Sequence, residues 1–502
     1  MNYKICGYYL DGEQLAIVLD ESKYLLVVAG AGSGKTLSIL GKINYLVNEK
    51  KINKDDILCI SFTREASLSL RSKIKHEFDF DMDVYTFHKL GLEVLKEKNL
   101  KYDISASDTL ENIIHEFLYV FVLSDENYMK IILKYFKIRY KDKNTYLEFL
   151  DKNSNQIILF ERLLSTFIHL LKCKGYGLSS FKFLLKKARR NIFGYKEQKL
   201  FLTIALNIYL QYEKYLDDNK QIDFDDMIIR ATNEVEKRGL NKRYKYIIID
   251  EYQDTSYARF LLIKAILDKT SASLMVVGDD FQSIYKFTGC DLSLFLNFEK
   301  YFSGAKVMKI QNTYRNSQEL INIAGDFVMK NKKQIRKNLK SSKHIDDPVK
   351  IVYYDDIKKT FLNLILEVYK KTNKPILVLS RNNKDINLVV DNRYFKLNNG
   401  RIVYLENELI IIKHLTIHKS KGLEEENVII INLEDKLLGF PNKIVDSKVL
   451  NLLTDNVDKY PYSEERRLFY VGLTRSKNRV YLLVPSRGES IFVKEIKKSI
   501  QH

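Results

Sequence analysis

The sequence predicts an α/β protein with two parallel sheets and an all-helical insertion in its first half. Three observations lead to this prediction. Apolar runs that suit buried strands, such as Tyr24 to Ala29, alternate with helical patterns. Between residues 92 and 221 the pattern changes to helices rich in lysine and free of proline. All five prolines fall after residue 312, where a second α/β set begins.

The bulk composition restricts the class of protein. A chain of 502 residues is too long for one core, so several domains are expected. The 82 Lys and Arg against 64 Asp and Glu suit a polyanionic partner, although an AT-rich genome would also enrich lysine. The four cysteines are scattered singly, so we expect neither a disulfide framework nor structural zinc, and a reducing cytoplasm is favoured. No apolar run approaches the roughly 18 residues of a membrane span, so no membrane partner is expected.

A phosphate-binding loop is predicted directly after the first buried strand. Its glycines permit backbone conformations in which successive N–H groups converge on phosphate oxygens. Lys35 would reach the β- and γ-phosphates, and the Thr36 hydroxyl would hold Mg²⁺. The alternative is a purely structural glycine-rich turn between a strand and a helix. The loop comprises Ala29, Gly30, Ala31, Gly32, Ser33, Gly34, Lys35 and Thr36.

Two adjacent carboxylates follow a second buried strand, in YIIIDEYQDTS (246–256). At the carboxyl end of a parallel strand, Asp250 suits Mg²⁺ and Glu251 suits the deprotonation of an attacking water. Gln282 lies at the tip of a further strand and could sense the γ-phosphate. Tyr285 and Phe287 come next, and their spacing alone favours a place in the core.

Other residues have two open interpretations at this stage. Gln14, ahead of the loop, could fold back over a nucleotide or lie on the surface. His88, close after Thr86 at the end of a short strand, is more simply a structural histidine. The basic helical segment FKFLLKKARR (181–190) is either a nucleic-acid contact or a solvated face.

Taken together, the motifs resemble those of superfamily 1 DNA helicases of the UvrD/Rep/PcrA group. The resemblance covers nearly the whole chain and is strongest to the motor part of the helicase IV branch. It implies a P-loop NTPase with two RecA-like parallel-sheet motor domains. The matching motifs are AGAGSGKT (29–36), SFTREA (61–66), TFH (86–88), DFDD (223–226), IDEYQDTS (249–256), VGDDFQSIYKF (277–287), NTYRN (312–316), TIHKSKGLE (416–424) and EERRLFYVGLTR (464–475).

The resemblance also implies roles for single residues. Gln14 would read the adenine, Tyr314 would stack on it, and Glu424 would touch the ribose. Arg315 and Arg475 would reach the γ-phosphate from the second motor domain. The basic segment 330–343 would grip phosphates, or else form a solvated loop. The implied DNA track comprises Phe62, Thr86, His88, Tyr285, Phe287, Thr416 and His418.

The implied domains are a first motor domain (1–91 and 222–311), a helical insertion (92–221) and a second motor domain (312–502). Three departures from the family pattern stand out. Leu37 replaces an Arg that is frequent after the loop, and Phe287 stands where Trp is common. The link 382–414 is too short to form the extra domain that many relatives insert there.

The function that this resemblance implies is an ATP- and Mg²⁺-dependent translocase that moves 3′ to 5′ on single-stranded DNA and unwinds duplex. Single-stranded DNA and its junctions with duplex would be its partners, with a protein loading partner also expected as an option. DNA repair, recombination or replication restart would be its setting. The alternative is a DNA-stimulated ATPase subunit that serves a nuclease in repair or antiphage defence and unwinds little alone.

Overall fold

Residues 4–97 alternate between strands and helices, as the sequence predicts. A computed structural model describes residues 3–190, 194–445, 447–454, 458 and 460–500. The hydroxyls of Thr63 and Thr86 each accept the backbone N–H three residues on, which starts a helix directly after a strand. The elements are β1 (Lys4–Ile5), β2 (Tyr8–Tyr9), α1 (Gly12–Leu19), β3 (Tyr24–Ala29), α2 (Lys35–Asn44), β4 (Ile57–Ile60), α3 (Arg64–Phe78), β5 (Val84–Tyr85) and α4 (Phe87–Glu97).

A helical segment then builds a separate core. Its large side chains, including Phe117, Tyr146, Phe167 and Phe201, are fully buried against one another. Its elements are β6 (Asp103–Ile104), α5 (Thr109–Glu116), α6 (Glu126–Tyr135), α7 (Lys143–Lys152), α8 (Ser154–Cys173), α9 (Ser180–Ala188), α10 (Tyr195–Asp218) and β7 (Gln221–Ile222).

Two features of the structure bear on the predicted insertion, whose bounds stay a prediction. Its expected start at residue 92 cuts through α4, whose Val94 and Leu95 pack in the core of the first sheet. The segment is also not purely helical, because β6 and β7 pair with each other where the chain leaves and re-enters the first sheet region.

The chain returns to complete a six-stranded, fully parallel sheet. Its order is β10-β3-β9-β8-β4-β5, so the carboxyl ends of all six strands meet at one edge. The returning elements are α11 (Phe224–Arg238), β8 (Tyr246–Ile249), α12 (Tyr257–Thr270), β9 (Ser273–Gly278), α13 (Ser293–Leu296), α14 (Phe298–Tyr301) and β10 (Lys306–Ile310).

A second sheet follows in the order β11-β17-β16-β12-β15-β14-β13. Its first five strands are parallel, and β13 and β14 form an antiparallel hairpin on β15. These two parallel sheets confirm the predicted α/β class. The elements are α15 (Gln318–Val328), β11 (Val349–Tyr354), α16 (Ile357–Thr372), β12 (Ile376–Ser380), β13 (Phe395–Asn398), β14 (Arg401–Tyr404), β15 (Ile412–Thr416), β16 (Glu425–Ile430), α17 (Ser463–Leu473), β17 (Ser476–Pro485) and α18 (Ile491–Ile500).

The stretch 382–414 is more than a link. Its hairpin extends the second sheet, and its apolar side chains, among them Phe395 and Ile402, enter the core between that sheet and α16. Farther along, Val449, Leu452 and Leu453 pack into the core of the helical segment. The second half of the chain therefore contacts the helical segment as well as the first sheet.

Every helix in the described part of the chain is too short or too polar to cross a lipid bilayer.

Candidate active site

The predicted phosphate loop lies between β3 and α2 at the carboxyl edge of the first sheet. Gly32 and Gly34 have φ values of +70° and +76°, which few side-chain-bearing residues adopt. The helix begins at Lys35, so its unpaired N–H groups face the loop. A Cβ at Gly34 would lie only 2.7 Å from Gln14 Nε2. The loop is therefore shaped to leave N–H groups free for an anion.

The two predicted carboxylates stand beside this loop. Glu251 Oε1 lies 3.0 Å from Lys35 Nζ, and Gln253 Nε2 donates to Glu251 Oε2 at 2.5 Å. Burial, together with the negative charge of Glu251, raises the pKa of Asp250 to about 6. Burial also acts on Glu251, but the ammonium groups of Lys35 and Lys421 outweigh it and hold the pKa of Glu251 below its usual range.

Residues 313–315, from the second half of the chain, press directly on the loop. Thr313 Oγ1 donates to Ala31 O at 2.7 Å, and the Tyr314 N–H donates to Gly32 O at 3.0 Å. A Cβ at Gly32 would lie 2.4 Å from Arg315 Cβ. Arg315 Nε is hydrogen-bonded to Glu424 Oε2 at 2.6 Å, so the residue expected at the ribose pairs here with an arginine.

The contact between the second half of the chain and the first sheet, at the phosphate loop, is called the seam below. Arg475 is fully buried at this seam. Its guanidinium donates to the carbonyl oxygens of Val471 and Leu423 and, at 3.2 Å, to Gln282 Oε1. Burial and the positive charge of Arg315 lower the pKa of Arg475 to about 9. The guanidinium groups of Arg315 and Arg475 repel each other beside the phosphate loop. An oligophosphate anion bound there would offset this repulsion and accept hydrogen bonds from both groups.

The residues expected at the adenine form a contact across the seam. Gln14 is fully buried, and its side chain bonds the Asp11 N–H and Ser33 O, so in this structure it braces the loop. Tyr314 is 61% exposed, and its hydroxyl donates to Asp11 Oδ2 at 2.8 Å. Asp11 also accepts from Asn312 Nδ2 at 3.0 Å and caps α1. The adenine contacts of Gln14 and Tyr314 stay predictions.

Replacing Asp11 with alanine should weaken both the fold and the nucleotide site. Loss of the helix cap costs about 1 kcal/mol of unfolding free energy, and Tyr314 loses its anchor, so KM for ATP should rise. Burial opposes ionisation of Asp11, but hydrogen bonds from Gln14, Asn312 and Tyr314 lower its pKa. The stabilisation should therefore be full above about pH 4 and fall as acid titrates Asp11.

Asp142 caps α7 with the same capping-box pattern, in which it exchanges hydrogen bonds with Thr145. Asp142→Ala is the matched control. Denaturant unfolding gives the free energy of unfolding of the two variants, and initial rates of hydrolysis give their KM for ATP. A rise in KM of equal size in both would contradict the cross-seam role of Asp11.

A row of aromatic side chains runs along the carboxyl edges of both sheets. It consists of Phe62, Tyr285, Phe287 and His418. Phe62 and Tyr285 stack with ring centroids 5.6 Å apart, and Phe287 lies 5.6 Å from the His418 ring. Phe287 is 59% exposed, so the core position that its spacing favours is wrong. The row spans the seam because His418 comes from the second half.

The other expected track residues take structural contacts at the same edges. The hydroxyl of Thr86 caps α4. Burial and the charge of Arg259 lower the pKa of His88 to about 4, and its ring packs on exposed Phe224 at 5.4 Å. Thr416 is buried, with its hydroxyl accepting the Lys419 N–H at 3.4 Å.

Sequence reasoning missed two basic residues at this site. Lys421 donates to Gln282 O at 2.8 Å and lies 3.7 Å from Glu251, so a cation from the second half reaches one of the two predicted catalytic carboxylates. The Arg259 guanidinium lies 5.3 Å from the Phe62 ring. Lys421 stands inside the motif TIHKSKGLE and could have been considered, whereas no local signal points to Arg259.

One further group is not predicted by the spacing of the cysteines. In the described ranges, His169, Cys173 and Asp225 form the one set of three potential metal ligands whose atoms lie within 4.8 Å of one another. His169 Nδ1 is 2.7 Å from Asp225 Oδ2. Burial acts to lower the pKa of His169, but this hydrogen bond outweighs it and raises the pKa. The ion pair between His169 and Asp225 explains why these side chains lie together, without a metal ion.

The loop between β3 and α2, set between two RecA-like parallel sheets, defines a P-loop NTPase of the motor class. The profile of the UvrD/REP helicase N-terminal domain matches residues 10–303, and that of the UvrD-like helicase C-terminal domain matches residues 392–487. The chain therefore belongs to the UvrD/REP helicase family and is an ATP-hydrolysing enzyme of the DNA helicase class.

The chain is similar in sequence to several DNA helicases. DNA helicase IV of Escherichia coli is 28% identical over 97% of this chain and 70% of its own length. A probable DNA helicase of Mycoplasma pneumoniae is 27% identical over 95% of this chain and 83% of its own length. The ATP-dependent DNA helicase Rep of Buchnera aphidicola is 30% identical, and the match spans 65% of this chain but only 46% of Rep.

Proposed function

We propose that the chain is an ATP-driven motor that moves 3′ to 5′ along single-stranded DNA and separates duplex at its junction with a single strand. One observation carries the proposal. The loop after β9 bears Gln282, which is bonded to Arg475, and three residues later Tyr285, which belongs to the aromatic row. A movement of Gln282 at the nucleotide would therefore also move Tyr285 in the aromatic row, because one short loop carries both residues. The 3′-to-5′ direction rests on the family resemblance.

The residues at the seam fit ATP and Mg²⁺. We assign the β- and γ-phosphates to the loop N–H groups and Lys35, and the metal to Thr36 and Asp250. Bound Mg²⁺ would neutralise charge that develops on the phosphates. Glu251, held ionised by Lys35 and Lys421, would take a proton from the attacking water. Arg315 and Arg475 would stabilise the γ-phosphate, and they do so only when the halves close.

The aromatic row would stack on successive bases, which is sequence-tolerant. The Phe62 and Tyr285 rings already stack on each other, with centroids 5.6 Å apart, so they occupy the space that a base between them would need. The two rings must therefore separate to admit a base. We propose the three domains predicted from sequence, with the insertion beginning after α4. Residues 447–454 would link the second motor domain to that insertion.

The test is ATP hydrolysis with and without single-stranded DNA, run beside unwinding of duplexes with 3′ or 5′ single-stranded tails. We expect hydrolysis to be stimulated by DNA and only the 3′-tailed duplex to open. Stimulation without unwinding would favour the alternative of an ATPase subunit that works with a nuclease. A stronger response to single-stranded RNA would identify RNA as the substrate. Absence of stimulation would overturn the proposal.

Replacing Phe287 with alanine should weaken translocation far more than basal hydrolysis. Stacking contributes about 1–3 kcal/mol per base, so affinity for single-stranded DNA should fall about five- to 150-fold. The Phe287 ring contacts Tyr285 and His418, which belong to the aromatic row and not to the phosphate loop, so hydrolysis without DNA should stay near wild type. Tyr8, an aromatic that is 71% exposed in the β1–β2 hairpin, supplies the control Tyr8→Ala. Equal losses in both activities would count against stacking.

A further inference from the structure

The basic segment 330–343, KNKKQIRKNLKSSK, connects α15 to β11 and runs through the seam. It is neither a phosphate grip nor a solvated loop along its whole length. Lys332, Lys333, Arg336 and Lys340 are exposed, but Lys337 is buried. Leu339 packs against Gly30 of the phosphate loop, and the Lys340 backbone bonds Gln311 and Thr313. The segment therefore contacts the phosphate loop directly.

Lys337 lies between two carboxylates that are completely shielded from solvent. Its Nζ contacts Asp279 Oδ1 and lies 2.6 Å from Asp280 Oδ1. The same ammonium lies 3.5 Å from the centre of the Phe281 ring. Two adjacent buried carboxylates without a cation would repel each other, and one would have to protonate or turn away. The Lys337 ammonium offsets this repulsion, because it pairs with both carboxylates.

Asp279 is the hub of the bonds that orient Gln282. Asp279 Oδ2 accepts from Gln282 Nε2 at 2.7 Å, and Gln282 Oε1 in turn accepts from Arg475. The Asp279 N–H donates to Gln253 Oε1 at 3.0 Å, and Gln253 Nε2 donates to Glu251. Asp279 thus connects Gln282, through its carboxylate, with Gln253 and Glu251, through its backbone N–H.

We propose that Lys337 is a positioning residue for ATP hydrolysis, which holds Asp279 and through it Gln282 in the orientation that hydrolysis requires. The inference rests on the proposed function, because it concerns the same site. The preceding helix, α15, packs in the core of the second sheet, so Lys337 reaches Asp279 across the seam. Its ammonium therefore ties the orientation of Gln282 to the relative position of the two halves.

The test compares Lys337→Met with Lys333→Met in the full chain. Lys333 lies four residues away in the same segment, and its side chain is exposed. We expect Lys337→Met to lower kcat of DNA-stimulated hydrolysis about 10- to 100-fold while KM for ATP changes less than about threefold. Lys337→Arg, which keeps the charge, should restore most of kcat, and Lys333→Met should behave as wild type. Wild-type kcat in folded Lys337→Met would overturn the inference.

Two further measurements keep the inference separate from folding and from the proposed function. The double variant Lys337→Met/Asp280→Asn removes one buried carboxylate together with the ammonium, so it should fold, yet kcat should stay low. Hydrogen exchange of the amides at 279–285 should be faster in Lys337→Met than in Lys333→Met, with or without ATPase activity. Unchanged exchange, or wild-type kcat in the double variant, would overturn the inference. Loss of DNA stimulation in the wild type would overturn only the proposed function.

Discussion

Lys35→Ala is expected to abolish DNA-stimulated ATP hydrolysis, with a fall in kcat/KM of at least about 10²-fold, the usual cost of removing one preorganised charge from a reacting centre. Lys35 begins α2 and lies 3.0 Å from Glu251, so in the proposed mechanism it would serve both the phosphates and the ionisation of the base. Its loss removes a cation that holds the pKa of Glu251 low. Initial rates of phosphate release across a range of ATP concentrations measure the effect.

The control for this substitution is Lys340→Ala. Lys340 lies at the same seam, but its side chain is exposed, and it is the Lys340 backbone that bonds Gln311 and Thr313. Hydrolysis by Lys340→Ala should match the wild type. Thermal unfolding of both variants would show that the loss in Lys35→Ala is not a loss of fold. Retained hydrolysis in Lys35→Ala would refute the assignment of the phosphate loop.

Arg475→Lys is expected to lower kcat about 10³-fold, comparable to the loss of an arginine finger in other phosphoryl-transfer enzymes. A lysine keeps the charge but cannot bond Val471 O, Leu423 O and Gln282 Oε1 together, as the guanidinium does. Affinity for ATP should change much less, because the phosphate loop and the adenine contacts remain. Single-turnover hydrolysis and equilibrium binding of a fluorescent ATP analogue separate these effects.

Arg487→Ala is the control for Arg475→Lys, because Arg487 follows β17 and is exposed. It should leave hydrolysis unchanged. If Arg475→Lys weakened nucleotide binding and kcat to the same extent, the arginine would hold the ground state and not the transition state. Near-normal hydrolysis with a normal melting temperature would remove Arg475 from the catalytic set.

Features encoded by neighbouring residues could be predicted from the sequence. The phosphate loop, the carboxylates after β8 and the polar tip after β9 each depend on a strand that ends in a fixed motif, so a short stretch was enough. Strand and helix positions follow from apolar periodicity for the same reason. The motif resemblance then indicated that Arg315 and Arg475 belong to the same site, although they lie far from Lys35 along the chain.

Features that depend on contacts between distant segments could not be predicted in this way. Lys337 has the same local pattern as its exposed neighbours, and only the two buried aspartates distinguish it. The hairpin β13–β14 is part of the second sheet because β15 offers it a free edge. Val449, Leu452 and Leu453 enter the helical core although nothing in their own stretch indicates a partner.

The sequence by itself determined the class of the protein, the order of its strands and helices, and the chemical groups available to a nucleotide. Those properties are local, since they depend on residue type and spacing. Only the tertiary structure decided which charges are buried and which meet across the seam. Burial and ion pairing depend on surfaces that become neighbours when the chain folds, so they are set by the packing of the two sheets.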